Sequence, residues 1–257
     1  MEERVIPFLV ALIALVSIFG GALLGFLLQA WVPKAHLQAD SKDSMKLGAG
    51  LIATMAALVL GLLVSSAKSA FDTVNAGIVQ GSAKLILMDR ALAHYGPETQ
   101  PIRDILKNST ESLIFLLWPH EQKPSPGIGT HTYAENIEKL SEMVRFLTPQ
   151  TESQRQLQIQ ALQISNDMQL MRWSLIEQEQ STLPTPLLIV LLFWLTMLNL
   201  IYGLFAPRNH TVLILLFICA LSVSGAIFLI FEMDRPLEGL IKVSSGPIRN
   251  AMLHLGQ

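Results

Sequence analysis

Residues able to do acid–base, nucleophilic or metal chemistry are few and scattered in this chain. The six histidines, at 36, 94, 120, 131, 210 and 254, share none of the spacings that bring imidazoles onto one metal ion. His120 and His131 flank a proline-rich stretch, PHEQKPSPGIGT over 119–130, and are the one pair that a loop could bring together. A histidine in such a loop is more often simply solvated. No glycine-rich phosphate loop, nucleophile elbow or thiol pair is present. The single cysteine, Cys219, lies inside an apolar run and cannot form an internal disulfide, so it says nothing of redox compartment. No catalytic set, metal or cofactor is therefore expected, and an enzyme is the least supported class.

What the chain has instead is apolar surface. Of its 257 residues 51% are hydrophobic and only 15% charged, where a soluble domain carries about a quarter charged. Mean hydropathy is +0.45. With a net charge of −2 there is no basic field to draw nucleic acid. Four runs contain no Asp, Glu, Lys or Arg: Val5–Pro33, Leu47–Ala67, Gln180–Pro207 and Thr211–Phe231. A helix of roughly 20 apolar residues crosses the hydrocarbon of a bilayer, and the alternating ten-residue pattern of a membrane barrel is absent. The first run is flanked by Glu2-Glu3-Arg4, a poor basic region for a cleaved leader. A retained helix is expected there.

The expected fold is an all-α membrane protein with four transmembrane helices and a helical cytoplasmic region between the second and third. The segments are a first helix within 1–33, an external loop 34–46, a second helix 47–67 and the helical region 68–182. A third helix in 183–207, a fourth in 211–231 and a cytoplasmic tail 232–257 complete the chain. Basic residues near the span ends set orientation. Arg4, Lys68, Lys84, Arg172, Arg235, Lys242 and Arg249 lie on one side; Lys34, Lys42, Lys46 and Arg208 lie on the other. The excess places both termini and 68–182 in the cytoplasm.

Within 68–182 two stripes have heptad spacing. The first is Phe71, Val74, Ile78, Gly81, Leu85, Met88 and Leu92; the second is Leu157, Ala161, Ile164, Met168, Met171 and Leu175. Each suits packing within one subunit or assembly between subunits. No Gly or Pro separates the first stripe from the second span, so one helix is expected to leave the membrane unbroken. Further helices are expected over about 100–118 and 133–147, with another starting at Thr148-Pro149.

Inside the spans the informative residues are small or polar. Ser17, Gly21 and Gly25 form one small-residue ridge, and Ala53, Ala57 and Gly61 form another; such ridges let helices pack closely. Asn199 needs a hydrogen-bond partner in a dry setting, and an interhelical bond is expected. Thr54, Leu58 and Leu62 follow at i, i+4 and i+8, with Ser65 and Lys68 continuing towards the cytoplasm. In a symmetric oligomer this face would line a channel whose leucine rings gate by dewetting; otherwise it is a leucine stripe facing lipid or a helix. Proton-coupled pumps and voltage sensors place ionisable groups inside the bilayer. None is here, so any flux would be passive. After the fourth span, Glu232, Asp234 and Arg235 suggest an interfacial ion pair, and Pro236 a helix stop. Leu237, Leu240, Ile241 and Val243 suit a short segment lying on the membrane surface.

Four stretches resemble the bacterial bestrophin-like domain family, whose members are membrane proteins of unassigned function. They are LGLLVSSAKSAFD at 60–72, DRALAHYGPE at 89–98, TPLLIVLLFWLTMLNLIYGLFAPRN at 185–209 and FEMDRPLEGLIKVSSGPIRNAM at 231–252. The family is distantly similar to bestrophins, pentameric ion channels with four membrane helices, a helical cytoplasmic body and a pore lined by the second helix. The resemblance implies a homo-oligomeric, passive ion channel of the bacterial inner membrane, with inorganic ions and the lipid bilayer as partners and no nucleic acid. Leu60-Gly61 and Val64-Ser65 carry the local match to bestrophins, and through them the neck constriction falls on Thr54, Leu58 and Leu62. Bestrophins often have aromatic rings there. The acidic run of the animal channels' calcium clasp is absent after the fourth span, so calcium gating is not implied. The alternative is a non-conducting scaffold or signalling protein that binds partners through its heptad-bearing helices.

Overall fold

The computed structural model describes residues 5–32, 39–119, 130–179, 184–207, 209–237 and 239–257. Among them there is no strand. The helices are α1 (Val5–Leu28), α2 (Ala39–Tyr95), α3 (Gln100–Leu117), α4 (Thr130–Arg145), α5 (Glu152–Glu179), α6 (Thr185–Phe205), α7 (His210–Met233) and α8 (Gly246–His254). Four of them, α1, α2, α6 and α7, are long and apolar enough to cross a membrane.

The chain divides into two units, one comprising Met1–Phe71 and Thr182–Lys242, the other Asp72–Ser181 and Val243–Gln257. In the first, α1 lies directly against α6. A Cβ on Gly21 would meet the Thr196 carbonyl at 2.6 Å, and one on Gly25 or Gly203 would run into backbone across the interface, of Leu200 and Leu204 or of Ala22. Backbone approaches that close need glycine on the facing turns. Next to this contact Ala14 and Ile18 of α1 pack on Ala220 and Ile227 of α7, and Phe19 meets Phe217 edge-on with ring centroids 5.2 Å apart. The apolar half of α2 joins through a narrow stripe, with Ala56, Leu63 and Ala67 against Leu191 and Ile230.

The second unit is built where the apolar run gives way to the heptad stripe. The two are one helix: α2 begins at Ala39, so 39–46 is helical rather than part of an external loop. Its charged start is consistent with that, since Asp43 and Lys46 pair at i, i+3 across 3.0 Å. α2 stops where Gly96 takes φ +147° ahead of Pro97, a conformation closed to residues with a Cβ.

Along its stripe Ile78, Leu85, Met88 and Leu92 are buried. A Cβ on Gly81 would sit 3.4 Å from Met171 Sδ, and Lys84 reaches Asp167 at 2.8 Å, so the α2 and α5 stripes face each other within one subunit. α3 packs on α4 and α8, and α4 on α5. α5 starts at Glu152, not at Thr148: Thr151 Oγ1 accepts the Gln154 N–H at 3.2 Å while Gln154 Oε1 accepts the Gln150 N–H at 2.8 Å. The T-E-S-Q capping pattern outranks a Thr-Pro pair as a helix start. From the next turn Gln158 Nε2 donates to the carbonyls of Val144, Arg145 and Leu147, at 3.0, 3.3 and 2.8 Å, satisfying the C-terminal end of α4.

Candidate functional site

The apolar half of α2 has two unlike sides. On one, Ala49, Ala56, Leu63 and Ala67 are between 0% and 3% exposed. At 100° per residue, Thr54, Leu58 and Ser65 fall on the opposite side. Leu58 is 70% and Leu62 65% exposed, and Thr54, Ser65 and Lys68 are exposed as well. Leu47 and Leu51 extend the same stripe towards the start of the helix. The Thr54 hydroxyl donates to the Leu51 carbonyl at 2.7 Å, so its proton is satisfied on its own helix and the residue can face a dry environment without an orphan donor. Among the described residues, a continuous face of leucine, threonine and serine is thus left uncovered.

The small-residue ridges divide. Gly21 and Gly25 sit in the α1–α6 contact. Ala53 is half-buried, Ala57 is exposed, and no described atom comes within 4 Å of a Cβ built on Gly61. That ridge lies partway round the helix from the buried stripe, and at Gly61 no described helix approaches it. Asn199 is buried, but its amide donates to the Leu195 carbonyl of α6 itself, at 3.1 Å, and not across helices; its Oδ1 has no partner. The i−4 carbonyl is always within reach of a short side chain on a helix.

Glu232 is not at a wetted edge. It is 3% exposed, and its Oε2 accepts the main-chain N–H of Leu240 and, at 3.3 Å, of Ile241, with Gly239 directly beside it. The carboxylate thereby ties the turn after α7 together, while Asp234 caps the helix and Pro236 follows it. Residues 239–245 are non-helical, and Leu240 is 76% exposed. Val243, at 2% exposed, enters the core of the second unit, and its carbonyl accepts the Trp118 indole N–H at 3.0 Å.

In the second unit the strongest polar feature is a buried ion pair. Arg103 Nε and Nη2 donate to the two Asp89 oxygens at 2.8 and 2.9 Å. The side chains are 11% and 1% exposed. Hydrogen bonding to Asp89 raises the Arg103 pKa above its ordinary value. The signal for this pair was an aspartate among Met88, Ala91 and Leu92 on a buried helix face, which demands a cation. Its partner, 14 residues on, lies past the turn at Gly96 and is not determined by helical spacing. Tyr95 is also buried, its hydroxyl without a hydrogen-bond partner; burial first and the Glu98 carboxylate second push that phenol above its usual pKa.

No group of three or more His, Cys, Asp or Glu placed to hold a metal occurs among the described residues. His120 and the side chain of His131 fall outside them.

Four apolar helices of spanning length, with no strand among the described residues, mark a membrane protein. The model of the Bestrophin-like domain matches residues 12–248, nearly the whole length, and the chain belongs to that family. No curated protein and no solved structure matches it.

Proposed function

We propose that the protein is a passive ion channel of the bacterial inner membrane, a ring of identical subunits lined by α2. Thr54, Leu58 and Leu62 form the narrowest face, with Ser65 and Lys68 near the cytoplasmic mouth. Both termini and residues 68–182 lie in the cytoplasm, as the basic residues near the span ends favour. The observation that carries this reading is the two-sidedness of α2. One side is held in the chain's own bundle, and the other, with Leu58 at 70% and Leu62 at 65% exposed, is left open by the described residues.

Four apolar spans without an ionisable residue in their runs support passive flux, since coupled transport uses charge inside the bilayer. Leucine rings on an axis would gate by wetting and drying. Membership of the Bestrophin-like domain family supports a channel and, by the family's distant similarity to bestrophins, a pentamer. The scaffold reading needs exposed heptad stripes, whereas Gly81 faces Met171 and Lys84 pairs with Asp167 in the middle of these two.

Native mass spectrometry of the detergent-purified protein tests the first requirement. A closed ring of four or more subunits supports the pore, whereas a monomer or two-fold dimer has no axis for α2 to line and overturns it. In a ring, Leu58→Ala with Leu62→Ala widens the constriction and raises ion flux into liposomes; unchanged flux refutes these positions as the gate.

A further inference from the structure

Three successive main-chain N–H groups of the turn after α7 are satisfied by the end of that helix. Gly239 donates to the Arg235 carbonyl at 3.3 Å. Leu240 and Ile241 donate to Glu232 Oε2, the latter at 3.3 Å. Because Glu232 belongs to the last turn of α7, these bonds bring the chain back to the level at which the spanning helix ends. Gly239 makes that return possible, since a Cβ there would collide with the Glu232 carboxylate. Of the apolar residues that follow α7, Leu237 is half-buried and Val243 buried, whereas Leu240 is 76% and Ile241 38% exposed. Lys242, next in the chain, is exposed as well.

We propose that Leu240, Ile241 and Lys242 form a lipid anchor, seated in the headgroup boundary of the bilayer at the C-terminal end of α7. The two apolar side chains lie among the upper acyl chains, and the lysine meets the phosphate of an anionic phospholipid. The anchor rests on α7 crossing the membrane and not on ion conduction. Lipid is the occupant because the patch continues, at the same level, the apolar surface of a helix of spanning length. Irregular backbone is kept out of an apolar medium by N–H groups that find no acceptor there. Here Glu232 and the Arg235 carbonyl supply the acceptors, so this turn carries its apolar pair into the boundary without orphaned donors. A lysine stem packs along apolar surface while its ammonium reaches the headgroups, where anionic lipid attracts it. A turn held in water would need no buried carboxylate for its N–H groups and would gain nothing from two adjacent apolar side chains.

The test is made on the full chain, with Cys219→Ser so that a bimane on Leu240→Cys is the only probe. The protein is reconstituted into vesicles of phosphatidylcholine with phosphatidylglycerol. Phospholipid carrying a nitroxide high on its acyl chain removes most of the emission, and iodide on both faces of the membrane removes little. Quenching by iodide instead places the side chain in water, and quenching by neither places it under protein; either result overturns the anchor. Glu232→Ala in the same background frees the Leu240 and Ile241 N–H groups and shifts the probe from lipid quenching to iodide quenching. A probe still quenched by lipid alone refutes the part given to the carboxylate. Lys242→Glu weakens lipid quenching in the vesicles with phosphatidylglycerol and not in phosphatidylcholine alone. The same response in both overturns the headgroup contact.

Discussion

Removing Arg103 exposes an asymmetry in the Asp89–Arg103 pair. In Arg103→Ala, Asp89, 1% exposed in the intact pair, loses bonds of 2.8 and 2.9 Å and keeps only the 3.3 Å bond from Gly256. A buried carboxylate stripped of its cation costs about 3–5 kcal/mol, or roughly 10–20 °C in melting temperature for a unit of this size. The converse change leaves Arg103 better provided. In Asp89→Asn the guanidinium, 11% exposed, still reaches the Gln257 carbonyl at 3.1 Å and Gln100 Oε1 at 3.5 Å, so the loss is about 1–3 kcal/mol. Adding Asp89→Asn to Arg103→Ala removes the stranded charge and recovers part of the loss. Trp118, 2% exposed in the same unit, is the fluorescent reporter for thermal or denaturant unfolding of the purified protein. Because hydrogen bonding to Asp89 raises the Arg103 pKa, the contribution of that shift is complete at neutral pH and fades as pH rises through the folded guanidinium's value. Arg103→Ala within about 1 kcal/mol of wild type, or a larger loss from Asp89→Asn, refutes the argument.

Gly203→Ala drives a Cβ into the backbone of Ala22 and lowers bundle stability by about 1–3 kcal/mol, since overpacked backbone has nowhere to yield. Gly225→Ala, which meets no atom within 4 Å, does not; equal melting temperatures for the two variants contradict the α1–α6 contact. Tyr95→Phe deletes a buried hydroxyl that has no partner, so it is neutral or stabilising by up to about 1 kcal/mol at pH 7. Because the folded Tyr95 pKa is raised, its protonated form stabilises below the ordinary tyrosine value and that contribution fades as pH rises through the folded one. The phenylalanine variant therefore loses less stability than wild type above about pH 10, and parallel alkaline unfolding curves would argue against a buried phenol.

Much of the architecture is decided by composition along the chain. Uncharged runs long enough to span lipid must be helical there, because every backbone group has to be satisfied internally. Four such helices are present. The heptad stripe following the second run continues the same helix because nothing between them breaks it. Glycines at 21 and 25 mark a close helix contact by their spacing alone. What spacing along one helix does not determine is the partner across space. Gly21 and Gly61 look alike in sequence, yet one meets α6 and the other meets no atom within 4 Å. Glu232 reads as an interfacial acid and is instead buried against the main chain of 240–241. Val243 belongs by composition to an apolar surface run and is instead buried, its carbonyl bonded to Trp118. Asp89 announces the need for a cation by its buried position, but only the turn at Gly96 and the return of α3 bring Arg103 to it. Hydrophobic periodicity is a local property legible in one dimension, whereas which face is covered, and which charge meets which, is settled when the helices pack.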